Sequence, residues 1–283
     1  MKLKSPIFLL LFISFSFGLF GQNITLSDQE IVLDSLFKNL RKSKINKEFV
    51  VNNNLFKSKL NEVLRGDEAF DYPFETLKTM SKITSPDNKF RLFNWNVEME
   101  GGINRFYCFV LKKNGKIIEL RDNYRNISSP ELKTLSNKNW YGAVYYKIIK
   151  LKNGKYTLLG WNGDDEITTQ KVIEIMNLKR KSIKFGESIF KYENSRIRKK
   201  RIVMKYANDA FVVLKLVENK NDKEIIFSHI SPSTPQLKGH YEYYYPDLSY
   251  DKFMLKKGKW IFKEDSQVKN KKSELDKLYN IPE

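Results

Sequence analysis

Residues 144–161 read VYYKIIKLKNGKYTLLGW, two apolar runs separated by Asn153 and Gly154. An Asn-Gly pair between apolar runs is the strongest short-range signal for a β-hairpin, because both residues accept the positive φ of a type I′ turn. The same arrangement recurs at residues 105–120, RFYCFVLKKNGKIIEL, and Lys257-Gly258 separates a third pair of runs. These segments predict antiparallel strands joined by tight turns.

Three further segments between and beyond these hairpins have strand character. They read RIVMKYA, FVVLKLV and EIIFSHI, at residues 201–207, 211–217 and 224–230. Each is rich in β-branched and aromatic residues and is bounded by polar turns, which is typical of strands.

The residues before the hairpins have a helical pattern. The segment LSDQEIVLDSLFKNL, at 26–40, places Ser27 as N-cap and Glu30 three residues later, the spacing of a capping box. Apolar residues at helical spacing predict a second helix over residues 54–65 and a shorter helical piece from Asp71. A helical N-terminal segment is therefore expected.

The order of these elements predicts an α+β fold that is mainly antiparallel β. We expect a helical segment over residues 22–82 and a β-rich domain over residues 83–283, built as a curved meander of hairpins. The first two hairpin turns lie 39 residues apart. That spacing is similar to the period of propeller blades, so a partial β-propeller-like array is the alternative.

Three consecutive acidic residues occupy positions 164–166, within GWNGDDEITTQKVIEIM at 160–176. If Asn162 were the first residue of an EF-hand loop, its sixth and twelfth positions would be isoleucines, where such a loop needs Gly and Glu. The simpler interpretation is a turn followed by one inserted helix near residues 168–178. Thr168 would cap this helix, with the acids at its N-terminal end, where the helix dipole favours them. No metal site is expected here.

The first residues have the three-part pattern of a secretory signal peptide. Lys2 and Lys4 precede PIFLLLFISFSFGLF at 6–20, and Gly21 offers a small residue for cleavage. A membrane anchor is the alternative, but about 20 apolar residues are needed to span a bilayer. The sequence therefore predicts a signal peptide over residues 1–21 and an exported protein, periplasmic or extracellular, without a later transmembrane span.

The predicted mature chain is strongly basic, with 49 basic against 33 acidic side chains and a net charge of +16. Such a surface attracts polyanions, but lysines occur in nearly every segment, so an even spread of charge for solubility is the alternative. A basic run at 196–201 is interpreted as a solvated hairpin, because it contains no aromatic residue for stacking. Nucleic acid is not expected for an exported protein. Cys108 is the one cysteine, so no intrachain disulfide can form, and its strand predicts a buried thiol.

The segment GHYEYYYPDLSYDKF, at 239–253, has four tyrosines in five residues. In a strand, alternate side chains share a face. Tyr241, Tyr243 and Tyr245 would then lie on one face, with His240 and Glu242 on the other. Tyrosine combines an apolar ring with a polar tip, which suits sugar rings or a partner protein. An ordinary aromatic edge strand is the alternative interpretation.

Two functions follow from these features. The first is a non-catalytic binding or scaffold protein of the bacterial cell envelope, since the chain has no Walker A, dinucleotide-binding or nucleophile-elbow motif and no cofactor is expected. The second is a polysaccharide-directed hydrolase with paired carboxylates among Glu242, Asp247 and Asp251. A zinc site at His229 and His240 is not favoured, because their spacing does not require them to meet.

Three segments carry a resemblance to the uncharacterised exported β-rich proteins of Bacteroidota. They are LLGWNGDDEITTQKVIEIM, the ending YYYPDLSYDKFMLKKGKWIFKED, and FGQN after the apolar run. The resemblance covers most of the mature chain. It implies an envelope or secreted location and supplies no activity.

Export makes a direct prediction for the mass of the protein in its native host. Intact-mass analysis should find a chain that begins near Gln22, because the signal peptide is removed on export. A soluble cytoplasmic chain that retains Met1 would contradict this expectation.

Overall fold

The computed structural model describes residues 24–180, 182–193, 198–219 and 222–264. The predicted signal peptide, residues 1–21, lies outside the described residues, as does Arg196 of the basic run.

Two helices open the described chain, α1 (Leu26–Lys42) and α2 (Asn46–Val63). The N-cap of α1 is Thr25, which forms a capping box with Asp28, so the predicted cap at Ser27 is wrong. Glu30 is instead buried, and its carboxylate accepts hydrogen bonds from the backbone N–H of Thr76 and the hydroxyl of Tyr72. Helix α2 begins eight residues before the predicted start at 54.

The helical piece predicted from Asp71 is also wrong. Residues 71–80 form turns, and Phe74 has a φ of 54°. The guanidinium of Arg91 donates to the carbonyls of Phe70 and Tyr72, which holds the segment against the sheet without helical bonds. Its apolar side chains are still buried, so the pattern predicted burial correctly but not conformation.

Fifteen strands follow in the described part of the chain. They are β1 (Ser81–Thr84), β2 (Phe90–Glu98), β3 (Asn104–Lys112), β4 (Ile117–Arg121), β5 (Leu135–Ser136), β6 (Val144–Lys150), β7 (Lys155–Asn162), β8 (Thr168–Leu178), β9 (Ile183–Phe185), β10 (Phe190–Lys191), β11 (Arg201–Ala207), β12 (Leu214–Glu218), β13 (Lys223–Pro232), β14 (Tyr244–Lys256) and β15 (Lys259–Lys263).

The strands form three sheets, and each sheet is open as far as the described strands show. The four-stranded sheet is the meander β1-β2-β3-β4. The six-stranded sheet has the order β5-β9-β8-β7-β6, with β11 also paired to β8. The five-stranded sheet has the order β10-β15-β14-β13-β12, and its β10–β15 pair is parallel whereas the others are antiparallel. The α+β, mainly antiparallel prediction is confirmed.

The predicted hairpin turns are present. Asn153 and Gly154 both have positive φ, as a type I′ turn requires, and so do Lys257 and Gly258. At the first hairpin only Gly115 has positive φ, and Lys112 pairs with Lys116 across a three-residue loop.

The elements stack as four layers with a hydrophobic core between each neighbouring pair. Helices α1 and α2 pack on one face of the four-stranded sheet, against Phe93 and Trp95 among others. The other face of that sheet packs on the six-stranded sheet, and Cys108 is buried there. The far face of the six-stranded sheet packs on the five-stranded sheet, for example through Ile173 and Phe253. Both middle sheets are therefore buried on both faces.

Two fully buried tryptophans form hydrogen bonds between layers. The indole N–H of Trp95 in β2 donates to the side-chain oxygen of Asn53 in α2, at 2.9 Å. The indole N–H of Trp260 in β15 donates to the hydroxyl of Thr157 in β7, also at 2.9 Å. A buried indole N–H without a partner is costly, so these bonds favour one alignment of adjacent layers.

The helix predicted near residues 168–178 is wrong, because this segment is strand β8. It pairs with β7 on one side and with β11 and β9 on the other. Val172 and Met176 face one core, whereas Ile173 and Ile175 face the other. A strand that is buried on both faces loses the alternating pattern, and its apolar residues then match helical spacing by coincidence.

A buried ion pair joins the two neighbouring strands β8 and β11. Arg201 and Glu174 are directly paired in register, both side chains are 0% exposed, and the Arg201 Nε lies 2.5 Å from the Glu174 Oε2. Arg201 also donates to the carbonyl oxygen of Pro130. Burial raises the pKa of the Glu174 carboxyl despite the opposing charge of Arg201. The basic run therefore ends in a buried arginine, and the prediction that all of it is solvated is wrong.

This pair predicts a large stability difference within the basic run. Replacing Arg201 by Met should lower the free energy of unfolding by about 3–5 kcal/mol, because it leaves the Glu174 carboxylate buried and unpaired. The exposed Arg198 is the matched control, and Arg198→Met should change stability by less than about 0.5 kcal/mol.

Urea unfolding followed by circular dichroism measures both changes. The double variant Glu174→Leu, Arg201→Met should recover most of the loss, since a buried ion pair can be replaced by apolar residues at little cost. An Arg201→Met variant as stable as Arg198→Met would contradict this account of the pair.

Candidate binding surface

The tyrosine-rich segment runs from the connection after β13 into β14, and the predicted strand over its first residues is wrong. Tyr241–Tyr243 form a turn of 3₁₀-helix, and β14 begins only at Tyr244. The backbone N–H of Tyr243 donates to the carbonyl of His240, and both the N–H and the hydroxyl of Ser233 donate to the carbonyl of Tyr243. These hydrogen bonds satisfy backbone polar groups of the turn without pairing to a neighbouring strand.

The three tyrosines that were predicted to share a face are all exposed in spite of the different backbone. The exposed fractions of Tyr241, Tyr243 and Tyr245 are 42%, 45% and 38%. The hydroxyl of Tyr245 donates to the carboxylate of Asp209 at 3.1 Å. The Tyr241 ring contacts that of Tyr244, with 5.0 Å between their centroids. The rings of Tyr241 and Tyr245 are thus held in place while a large part of each faces solvent.

His240 and Glu242 belong to the same turn rather than to the opposite face of a strand. Their side chains form an ion-pair contact when His240 is protonated, with the His240 Nδ1 3.5 Å from the Glu242 Oε1. His240 is exposed and Glu242 is half-buried. A binding role for these two residues stays a prediction.

Two neighbouring apolar side chains enlarge the exposed surface, and the sequence did not reveal them. Phe211 and Leu248 are 86% and 90% exposed, more than any of the tyrosines. Phe211 lies in the loop before β12, two residues from Asp209, which the Tyr245 hydroxyl contacts. We call Tyr241, Tyr243, Tyr245, Phe211 and Leu248 together the aromatic face.

Leu248 is exposed because β14 contains a bulge at this point. Ser228 pairs with Tyr250 and Ile230 pairs with Pro246, so three residues of β14 lie opposite the single residue His229 of β13. Pro246 has no N–H to donate to a ladder, and Leu248 has a φ of 71°. Such a φ is uncommon in a non-glycine residue, and here it accompanies the register shift between β13 and β14.

His229 holds the two ends of this bulge through two carboxylates. Its Nδ1 lies 2.9 Å from the Asp251 Oδ2, and its Nε2 lies 3.9 Å from the Asp247 Oδ2. Asp247 also accepts hydrogen bonds from the N–H and the hydroxyl of Ser249. The hydrogen bond with Asp251, ahead of the charges of Asp251, Asp247 and Glu264, raises the pKa of His229.

The acidic residues at 164–166 were expected to lie at the start of a helix, but they lie in the turn between β7 and β8, where Asp164 and Asp165 form a structural network. The Asp164 carboxylate is buried and accepts hydrogen bonds from the Thr168 hydroxyl and the Gln170 amide. It also forms an ion pair with Lys205, at 2.7 Å. Asp165 accepts from the backbone N–H groups of Ile167 and Thr168, so it stabilises a turn rather than a helix end.

Lys205 connects this network to the aromatic face. Its ammonium lies 5.9 Å from the centroid of the Tyr241 ring, within the range of a cation–π contact. The same ammonium is held by Asp164, whose backbone carbonyl accepts from the Tyr124 hydroxyl and the Arg125 guanidinium. The Tyr241 ring, at one end of the aromatic face, therefore lies against an ammonium group that Asp164 holds in place. This contact limits the movement of the ring.

No protein-family model matches this chain, and comparisons with curated proteins and with solved structures gave no significant match either. Among the residues that the structure describes, no group of three His, Cys, Asp or Glu side chains is placed to hold a metal ion. None of the helices in the described ranges is long and apolar enough to cross a membrane.

The contacts of His229 predict that its pKa lies above the ordinary histidine value of about 6.5. The pKa is raised on folding, so its contribution to stability is fully present below the unfolded value and is lost as the pH rises through the folded value. NMR titration of the imidazole protons measures the pKa. Asp251→Asn should lower it clearly and Asp247→Asn less, whereas a parent pKa at or below 6.5 would contradict the contacts.

Proposed function

We propose that this chain is an exported, non-catalytic binding protein of the bacterial cell envelope, and that the aromatic face binds a partner protein. The observation that carries the proposal is the exposure of Phe211 and Leu248 beside three half-exposed tyrosines. Apolar side chains scattered singly over a surface need no explanation, but a contiguous group of them marks an interaction site.

The composition of the face favours a protein over a glycan. Tyrosine and phenylalanine are enriched in protein–protein interfaces, and charged residues are depleted at the centre of such interfaces. Sugar rings stack on flat rings, which the tyrosines would offer, but Leu248 protrudes as a branched aliphatic side chain. Such a side chain is best accommodated by a pocket on another protein, while an envelope glycan remains the other candidate ligand.

Fixed geometry supports a binding role as well. The Tyr245 hydroxyl is bonded to Asp209, and the Tyr241 ring contacts both Tyr244 and Lys205. A surface that is already ordered loses less conformational entropy when a partner binds.

Export rests on the first 21 residues and on the single cysteine. A charged start, an apolar run and a small residue are the pattern of a secreted precursor. A chain that needs no disulfide fits the bacterial envelope, where many exported proteins fold without them.

The hydrolase alternative has weaker support. A glycosidase general acid needs a raised pKa, so that it carries a proton at neutral pH. The hydrogen bond from the Ser249 hydroxyl, with smaller help from His229, instead lowers the pKa of Asp247. Asp251 is already engaged by His229. These carboxylates are therefore better suited to holding the bulge than to donating a proton.

Serine variants of two residues in the aromatic face, compared with one control variant, test the proposal. Leu248→Ser and Phe211→Ser should each weaken co-sedimentation with the isolated envelope fraction of the native host by about tenfold, as truncation of an interface hot spot does. Leu55→Ser is the control, because Leu55 is also an exposed leucine but lies on α2. Thermal melts establish that all three variants are folded.

Unchanged binding in both face variants, or an equal loss in Leu55→Ser, would contradict the protein-binding role. Release of reducing sugar ends from envelope polysaccharide, abolished by Asp247→Asn, would favour the hydrolase instead.

A further inference from the structure

A second surface feature lies on the helical side of the molecule. Four polar or cationic residues on one face of α2, together with Arg65 just beyond the end of the helix, form one wall of a groove, at spacings of three, four, seven and eleven residues from the first. They are Asn54, Lys57, Ser58, Asn61 and Arg65.

The four-stranded sheet forms the opposite wall and the floor. Tyr107 of β3 pairs in register with Arg121 of β4, and Phe109 pairs with Glu119, so these side chains share the face that α2 covers. Arg105 lies on the same face of β3, two residues before Tyr107. The groove therefore runs between α2 and the β3–β4 edge of the sheet.

Two cavities of about 340 and 490 Å³ make up this groove, and both are lined by Lys57 and Glu119. These two side chains form an ion pair at 3.0 Å where the cavities meet. The two cavities adjoin at this ion pair, and we treat them together. We call them the basic groove.

The charge in the basic groove is not balanced. Arg65, Arg105 and Arg121 are exposed, and none of their side chains has an ion pair or a hydrogen bond within the described residues, although the charge of Arg105 acts on Asp122 and opposes the rise in its pKa. Glu119 is already paired with Lys57. Asp122 is occupied by the backbone N–H groups of Phe106 and Tyr124, and burial raises its pKa to about 6.

We propose that the basic groove binds a segment of a carboxylate-bearing polysaccharide. Three guanidinium groups that form no side-chain ion pair or hydrogen bond line the groove, and arginine donates paired hydrogen bonds to carboxylates. Asn54, Ser58 and Asn61 line the same groove and offer the donors and acceptors that sugar hydroxyls need.

The groove is less suited to a single-stranded nucleic acid. Sequence-independent binding of single strands relies on aromatic rings that are free to stack with bases. The Tyr107 ring is stacked on Trp95, with 5.5 Å between the centroids, and Phe109 is buried. The aromatic floor is therefore part of the helix–sheet core rather than an open stacking platform.

The basic groove is independent of the aromatic face. It is formed by α2 and the four-stranded sheet, whereas the aromatic face is carried mainly by the five-stranded sheet and its loops, at the other end of the four-layer stack. One protein could thus contact an envelope polysaccharide and a partner protein at the same time.

The test uses polygalacturonate as the probe and two double variants of equal net charge. Arg105→Gln with Arg121→Gln removes two groove cations, and Lys152→Gln with Lys215→Gln removes two exposed cations elsewhere. By isothermal titration calorimetry of the full chain at low salt, the groove variant should bind about tenfold more weakly. The control variant should differ from the parent by less than about twofold, and circular dichroism melts confirm that both are folded.

Three outcomes would decide against the groove. Equal losses in the two double variants would mean attraction by net charge alone, and no binding by the parent would overturn the proposal directly. Tighter binding of single-stranded DNA than of polygalacturonate would assign the groove to nucleic acid. Methyl-esterified polygalacturonate should not bind, because it lacks the carboxylates, and Leu248→Ser should bind polygalacturonate as the parent does.

Discussion

The two middle sheets are buried on both faces, and the rest of the structure depends on that constraint. A side chain in these sheets faces a core whichever way it points, so each polar group needs an internal partner. Strand β8 shows how the chain meets most of this demand, although Glu174 Oε1, Asn177 Oδ1 and Arg201 Nη2 are buried without a hydrogen-bond partner among the described residues. Glu174 is paired with Arg201, Gln170 donates to Asp164, and Thr157 of the neighbouring strand accepts from Trp260. These contacts fix the register of β8 and its neighbours and, through Lys205, support the aromatic face.

The same constraint explains what the sequence could predict. Hairpins at Asn153-Gly154 and Lys257-Gly258 were predictable, because their turn chemistry is local. Strand β8 was predicted as a helix, since double burial removes the alternation by which a strand is recognised. Arg201 was assigned to solvent because its neighbours in the run are charged, and only the pairing of β11 with β8 shows that it faces Glu174.

The candidate sites also contain features that the sequence could predict and features that it could not. The exposure of Tyr241, Tyr243 and Tyr245 agrees with one of the two interpretations of their composition, whereas the 3₁₀ turn was not predicted. Leu248 was missed because its exposure depends on a bulge created by the pairing of β13 with β14. The basic groove was missed because its cations come from α2, β3 and β4, which are separated in sequence. Local sequence patterns therefore identified single segments. They could not predict surfaces whose residues are brought together only by tertiary pairing.

Photo-crosslinking most directly tests the claim that the aromatic face contacts a partner protein. A benzoylphenylalanine residue would replace Phe211 in one variant and Val50, which is exposed on α2, in the other. After irradiation of the native envelope, the account predicts one discrete adduct of higher mass from position 211 and none from position 50. No adduct at position 211, or the same adduct from both positions, would contradict it.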